Sequence, residues 1–198
     1  MFEQEILDFL TSSLEGYDES HDITHAYAVL ENARKIMRTY SDEFRDSCGE
    51  TIELAALLHD TVDHKYPNAD LKRKKLELIL NDKYPHLAED VLFIIDNISF
   101  SKEKKFGYPQ GMTEKMKHMR DIVSDADKLE AIGEIGYMRC YQFGKAIAPE
   151  LSDDLIRQRV VDHFHDKLSL LATQYIHTIA GKEMAAPLHA ELERMIYN

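Results

Sequence analysis

Apolar residues recur at steps of three and four along most of this chain. Phe2, Ile6, Phe9 and Leu10 form one such set; Tyr27, Leu30, Ile36 and Met37 form a second. Leu87, Val91, Ile94, Ile95 and Ile98, then Leu155, Val160, Phe164, Leu168 and Leu171, repeat the pattern. A stripe with that spacing faces a core when the chain is α-helical. No segment alternates with the period of two that a half-buried strand needs. The pattern predicts helices near residues 2–14, 22–40, 49–63, 69–83, 86–98, 113–133, 134–146, 153–180 and 185–197, with breaks at Gly16, Gly49, Pro67, Pro85, Gly107 to Gly111 and Pro149. None of these breaks has the length or composition of an interdomain linker. The expectation is one all-α domain over residues 1–198.

Composition agrees with a packed helical protein: 44% of residues are apolar and 30% charged, with 8 Gly and 5 Pro among 198. The formal charge of -12 makes the molecule as a whole repel phosphate backbones and anionic bilayers, which argues against nucleic-acid polymers and membranes as partners. Cys48 and Cys140 lie far apart and match no metal or redox spacing, as expected of thiols in a reducing compartment. The opening MFEQEILDFL is acidic and amphipathic, unlike a signal peptide, so a cytoplasmic location is expected. Oligomeric state is left open, a homo-oligomer included.

One stretch reverses the overall sign. Between residues 101 and 120, Lys102, Lys104, Lys105, Lys115, Lys117 and Arg120 face only Glu103 and Glu114, a local charge of +4. Its glycines and proline read either as a lid over an anionic ligand or as an ordinary surface loop. The basic run LKRKKLEL at 71–78 reads as the solvated face of an amphipathic helix.

Chemistry concentrates where the apolar pattern meets charge. In IELAALLHDTVDH, residues 52–64, an almost uncharged helix ends on His59 and Asp60, and buried polar groups of that kind need partners. His21-Asp22 and His165-Asp166 repeat the dipeptide in less buried settings; Asp22 suits a helix N-cap and His165-Asp166 a structural role. His21 and His25 form an H-x3-H pair without the glutamate of a zinc protease. Asp125 and Asp127 stand in DIVSDADKLEAIG, where periodicity slightly favours Asp125 as the inward carboxylate and a cap or salt bridge would explain either.

The ordered segments HDITHAYAV, LAALLHDTVDHKY, IIDNISFS and DADKLEAIGEIGYMR resemble the HD-domain metal-dependent phosphohydrolases, in particular their small stand-alone branch, which includes nucleotide pyrophosphohydrolases. The likeness runs from about residue 20 to about 182. It implies a helical HD-domain fold in which His25, His59, Asp60 and Asp127 bind one divalent metal, so that Asp127 displaces Asp125 as the expected ligand. Two imidazoles and two carboxylates suit Mn, Fe, Co, Ni or Mg with coordination positions left open. Asp63 could then orient or deprotonate a water, or cap the helix end. The resemblance suggests His64 and Lys65 as catalytic cations, Lys128 as a substrate contact, and Lys102 and Lys104 as weaker ones. It implies hydrolysis of a phosphoanhydride or phosphoester bond in a small nucleotide, with pyrophosphate release from a nucleoside triphosphate foremost. A nucleoside monophosphatase, an alarmone or cyclic-nucleotide hydrolase, and a non-catalytic nucleotide-binding regulator are the alternatives. The chain departs from the family at Ala28, where an arginine is common, and near residues 187–189, where a late arginine is absent. Both would be natural phosphate anchors.

Overall fold

The computed structural model describes residues 2–15, 22–64 and 67–197. These form ten α-helices, and no strand occurs among the described residues: α1 (Gln4–Leu14), α2 (Ile23–Met37), α3 (Asp42–Leu58), α4 (Ala69–Lys83), α5 (Ala88–Asn97), α6 (Phe100–Phe106), α7 (Glu114–Glu130), α8 (Gly133–Ile147), α9 (Asp153–His163) and α10 (Ile179–Tyr197). Helix α7 is central, packed against α2, α3, α5, α8 and α10. Its buried face carries Met119, Ile122, Val123, Ala126 and Leu129; α3 adds Ile52, Leu54, Ala55, Ala56, Leu57 and Leu58, and α2 adds Ala26, Val29, Leu30, Ala33 and Ile36. These side chains belong to one continuous core. Its continuity places the ends of α2, α3 and α7 together.

Hydroxyl caps set several helix starts. Ser41, Ser99, Thr113 and Ser152 each accept the backbone N–H three residues on, and Asp22 accepts that of His25 at 2.9 Å, as its position before α2 predicts. The Ser41 cap explains one difference from the sequence pattern. Helix α3 begins at Asp42 and runs through Gly49, whose interior cost of about 1 kcal/mol is offset by the cap, by Asp42 and Glu43 in the first turn, and by the buried face that follows. The C-terminal end of α3 also falls earlier than the pattern predicts. The Thr61 hydroxyl and amide both return to the Leu58 carbonyl, closing a turn in place of a further helical repeat.

Two other differences have tertiary causes. Residues 100–106, expected in the lid or loop, form α6, because Glu103 turns inward to the wholly buried Arg120 of α7. The helical run predicted over 153–180 continues from α9 through two π-helical turns, Phe164–Leu168 and Leu171–Tyr175, and stops at Ile176 to Thr178. There Asp125 of α7 accepts the amides of His177 and Thr178, and the Thr178 hydroxyl accepts the amide of Gly181 to start α10. Helix α10 then passes through Pro187, so the break expected before residue 185 lies nearer residue 177.

Candidate metal centre

Helix α3 delivers His59 to the edge of the core at its last turn. Its ring Nδ1 lies 2.8 Å from the Ala56 carbonyl, which can only accept, so Nδ1 donates and Nε2 is the ring atom turned toward the carboxylates. His25, in the first turn of α2, comes edge-on to it with ring centroids 5.3 Å apart. Asp60 follows His59 in the turn, and Asp127 projects from α7. The Nε2 atom of His59 is 3.2 Å from Asp60 Oδ2 and 3.6 Å from Asp127 Oδ1. That of His25 is 3.5 Å from Asp60 Oδ2 and 3.4 Å from Asp127 Oδ1. His25, His59 and Asp127 each offer a ligand atom within 4.8 Å of the other two.

These separations test whether a cation fits. Nitrogen and oxygen ligands about 2.0–2.2 Å from one ion lie roughly 3–3.6 Å apart at right-angled to tetrahedral angles. All four cross-distances fall in that range. His59 Nε2 is buried and makes no hydrogen bond of good geometry among the described residues, although two carboxylate oxygens lie close by. A buried polar nitrogen aimed at two acids in this way suits an ion better than it suits a hydrogen-bond network. Without an ion, burial opposes the charged imidazolium of His59, but the nearby Asp60 and Asp127 outweigh it and hold the pKa well above the ordinary histidine range. Burial likewise opposes ionisation of Asp127, and the two imidazoles overcome it, holding its pKa well below the usual carboxylate range.

Asp125 takes a different course on the same helix. It is fully buried and accepts from the His177 amide, the Thr178 amide and the Thr178 hydroxyl at 2.7–3.1 Å. The inward position favoured by periodicity is therefore real, but it serves the α7–α10 junction. Asp127, two residues on, is displaced around the helix toward His25 and His59.

The remaining sequence candidates are scattered. Asp63 is half-buried and His64 exposed in the turn after α3, so Asp63 is not the next position of a continuing helix; Lys65 and His21 lie outside the described residues. Lys128, expected at the surface or against substrate, is instead buried, with Nζ on the Ser124 hydroxyl and 3.6 Å from Glu103. Burial pushes its ammonium below the usual lysine range against the pull of Glu103. Lys102 and Lys104 are exposed and donate to the Asp96 and Asp166 carbonyls, 3.1 and 3.0 Å away. Arg120, counted among the lid cations, is wholly buried between Glu103, Asp121 and the Asn97 carbonyl.

One neighbour of the centre was not singled out by sequence. Arg139 of α8 places Nη1 3.3 Å from His25 Nδ1 and 3.2 Å from the Glu130 carbonyl. An arginine only donates, so Nδ1 accepts in that contact and the His25 proton sits on Nε2. A cation held at Nε2 would move the proton to Nδ1 and break the contact. The available signal was isolation: Arg139 is the only Lys or Arg between Lys128 and Lys145. Beside it opens a cavity of about 510 Å³, lined in part by Asp22, Ile135, Met138 and Gln142.

Similarity to known proteins follows this arrangement of helices. A crystal structure of Bacillus subtilis YpgQ in complex with ADP superposes with a TM-score of 0.69 at 25% identity, covering 98% of this chain and 90% of that one. A structure described as an HD-superfamily hydrolase from Bacillus thuringiensis matches with a TM-score of 0.62 at 24% identity, covering 98% and 92%. The chain shares its helical fold with both of these structures. In sequence, the uncharacterized protein YpgQ of Bacillus subtilis is 28% identical over 195 residues, 94% of this chain and 86% of YpgQ. The uncharacterized protein L803 of Acanthamoeba polyphaga mimivirus is 30% identical over 141 residues, 64% of this chain and 54% of L803. No protein-family model matches the chain. No strand interrupts this helical fold among the described residues, and no helix among them is long and apolar enough to cross a membrane.

Proposed function

We propose that this chain is a divalent-metal-dependent hydrolase of a phosphoanhydride or phosphoester bond in a small nucleotide, with release of pyrophosphate from a nucleoside triphosphate as the leading reaction. The observation that carries the reading is the convergence of His25, His59, Asp60 and Asp127 from α2, the end of α3 and α7 at ligand-to-ligand distances of 3.2–3.6 Å. The HD-superfamily fold and the ADP bound by YpgQ support the nucleotide class.

Each residue has a physical part. Asp60 and Asp127 bring two negative charges to one point, a poor arrangement by itself and a good one around a dication. The Ala56 carbonyl fixes the His59 ring and directs Nε2 into the centre, the second-partner arrangement typical of ligating histidines. A bound divalent ion supplies Lewis acidity at the phosphoryl group and a water of lowered pKa. Asp63, half-buried beyond the turn, is the proposed proton acceptor, and His64 and Lys65 are proposed to meet phosphate oxygens. Lys102 and Lys104, exposed on α6, would join them only by leaving their carbonyl partners. Lys128, already engaged at Ser124, is better placed to hold α7 than to reach substrate.

A panel of nucleoside tri-, di- and monophosphates should yield phosphate or pyrophosphate only when a divalent metal is present. His59→Ala and Asp60→Ala should each abolish release. Activity that persists in both variants, or in chelator, would overturn the reading.

A further inference from the structure

Arg139 spends little of its donor capacity. A guanidinium has five N–H donors in a planar fork. Among the described residues only Nη1 makes hydrogen bonds, to His25 Nδ1 and the Glu130 carbonyl; Nη2 stands 3.9 Å from Glu130 Oε2, beyond hydrogen-bond reach. The side chain is nevertheless held in place, because Glu130 is itself fixed by the Asn32 amide of α2 at 2.8 Å. It is 19% exposed, open on the side of the cavity.

That cavity has a chemically mixed lining. Arg139 borders it at the metal ligand His25. On the preceding turn of α8, Ile135 and Met138 are 54% and 42% exposed, an apolar surface on a helix whose other side is packed. Asp22 and Glu134 supply carboxylate acceptors, and Gln142 an amide. About 510 Å³ is ample for a nucleoside. A cation, carboxylates and an apolar surface in one cavity are the kinds of group that a nucleotide's phosphate, sugar hydroxyls and base would meet.

We infer that the cavity along α8 is a nucleoside-phosphate subsite in which Arg139 binds the phosphate nearest the sugar and Ile135 and Met138 bear the base. This rests on the proposed function for its orientation toward the metal ligands. It also supplies an anchor that the chain lacks at Ala28 and near residues 187–189. The base lies against aliphatic surface, so recognition there is by shape and apolar contact; Asp22 and Glu134, which only accept when ionised, favour a hydroxylated sugar.

The test is equilibrium binding of ADP and of adenosine to the full chain loaded with Mn²⁺, alongside calorimetry of Mn²⁺ itself. Arg139→Gln should weaken ADP by about tenfold or more, the scale of a charge-assisted contact, while adenosine changes less than twofold. Mn²⁺ affinity should be equal or tighter, since a cation beside the ligand set has been removed. Arg139→Lys should recover part of the ADP affinity. Ile135→Glu and Met138→Glu should weaken ADP and adenosine alike. ADP binding within twofold of the parent in Arg139→Gln would overturn the phosphate assignment. Unchanged adenosine binding in both glutamate variants, or no measurable ADP binding by the parent, would overturn the subsite. Binding through Arg139 without metal-dependent hydrolysis would instead remove the proposed function and leave the subsite standing.

Discussion

Two carboxylates two residues apart on α7 do opposite work. Asp125 is sealed in the protein and spends its oxygens on two amides and a hydroxyl. Asp127 is about a third exposed and faces two imidazoles. Asp125→Asn puts amide hydrogens where three donors converge, so it should lower stability by about 2–3 kcal/mol in urea unfolding while the protein still binds metal. In Asp127→Ala metal content should fall from near one per chain to near zero, and metal-free stability should also fall near neutral pH, because the imidazoles that hold the Asp127 pKa low lose their carboxylate. Finding the metal lost in the first variant and kept in the second would exchange their roles.

Glu103 illustrates how strongly burial and partners compete at a single group. Burial raises a carboxyl pKa, but His177, Arg120 and Lys128 more than reverse it and hold Glu103 at about 2 against an ordinary 4.5. A depressed folded-state pKa stabilises the protein above the unfolded value, and that contribution disappears as pH falls from about 4.5 toward about 2. Glu103→Gln leaves Arg120 buried without its closest carboxylate, so it should cost about 3–5 kcal/mol near neutral pH. Its acid-unfolding curve should also be flatter over that interval than that of the parent. Parallel curves for the two proteins would show that Glu103 does not titrate there.

At the scale of elements, the junction of α7 with α10 is set by close approach. A Cβ at Gly181 would stand 2.6 Å from Asp125 Oδ2 and 2.7 Å from Thr178 Oγ1, the same atoms that end one helix and start the next. Gly181→Ala should therefore destabilise by about 1–3 kcal/mol. Metal binding should survive, because Asp127 faces elsewhere. Helix α6 is held in a comparable way, by Glu103 reaching Arg120 and by Tyr108 donating to Asp121 at 2.8 Å just beyond its end. The segment read as a cationic lid is thus a short helix whose one buried acid anchors it, with lysines left outside.

At the scale of the molecule, the proposed metal centre joins three helices that are remote in sequence, so its occupancy should couple to global stability. A divalent ion at a hundred times its dissociation constant adds about 2.7 kcal/mol. For a chain of this length that corresponds to a rise in Tm of roughly 5–10 °C, reversed by chelator. The rise should be absent in Asp127→Ala. A similar rise in that variant would place the ion elsewhere. The charge of -12 surrounds this site with a repulsive field for polyanions, so the proposed ion and Arg139 would have to offset a phosphate locally.

Sequence alone determined the helical class, the buried face of α3 and the ordered motifs, because amphipathic period and motif order are local properties of the chain. It also determined that His59 and Asp60 end a buried helix and that Asp22 precedes one, where a cap belongs. The family likeness pointed to Asp127 where the period of α7 slightly favoured Asp125, and the physical reason that Asp127 meets the histidines lies only in the tertiary structure, in where α2 and α10 pack around α7. The same holds for the inward turn of Lys128, Arg120 and Glu103, charged residues that a pattern of apolar positions assigns to solvent and that burial permits only because they find one another. The nearness of Arg139 to His25, across more than a hundred residues of chain, follows from the packing of α8 beside the start of α2, and no local signal carries it.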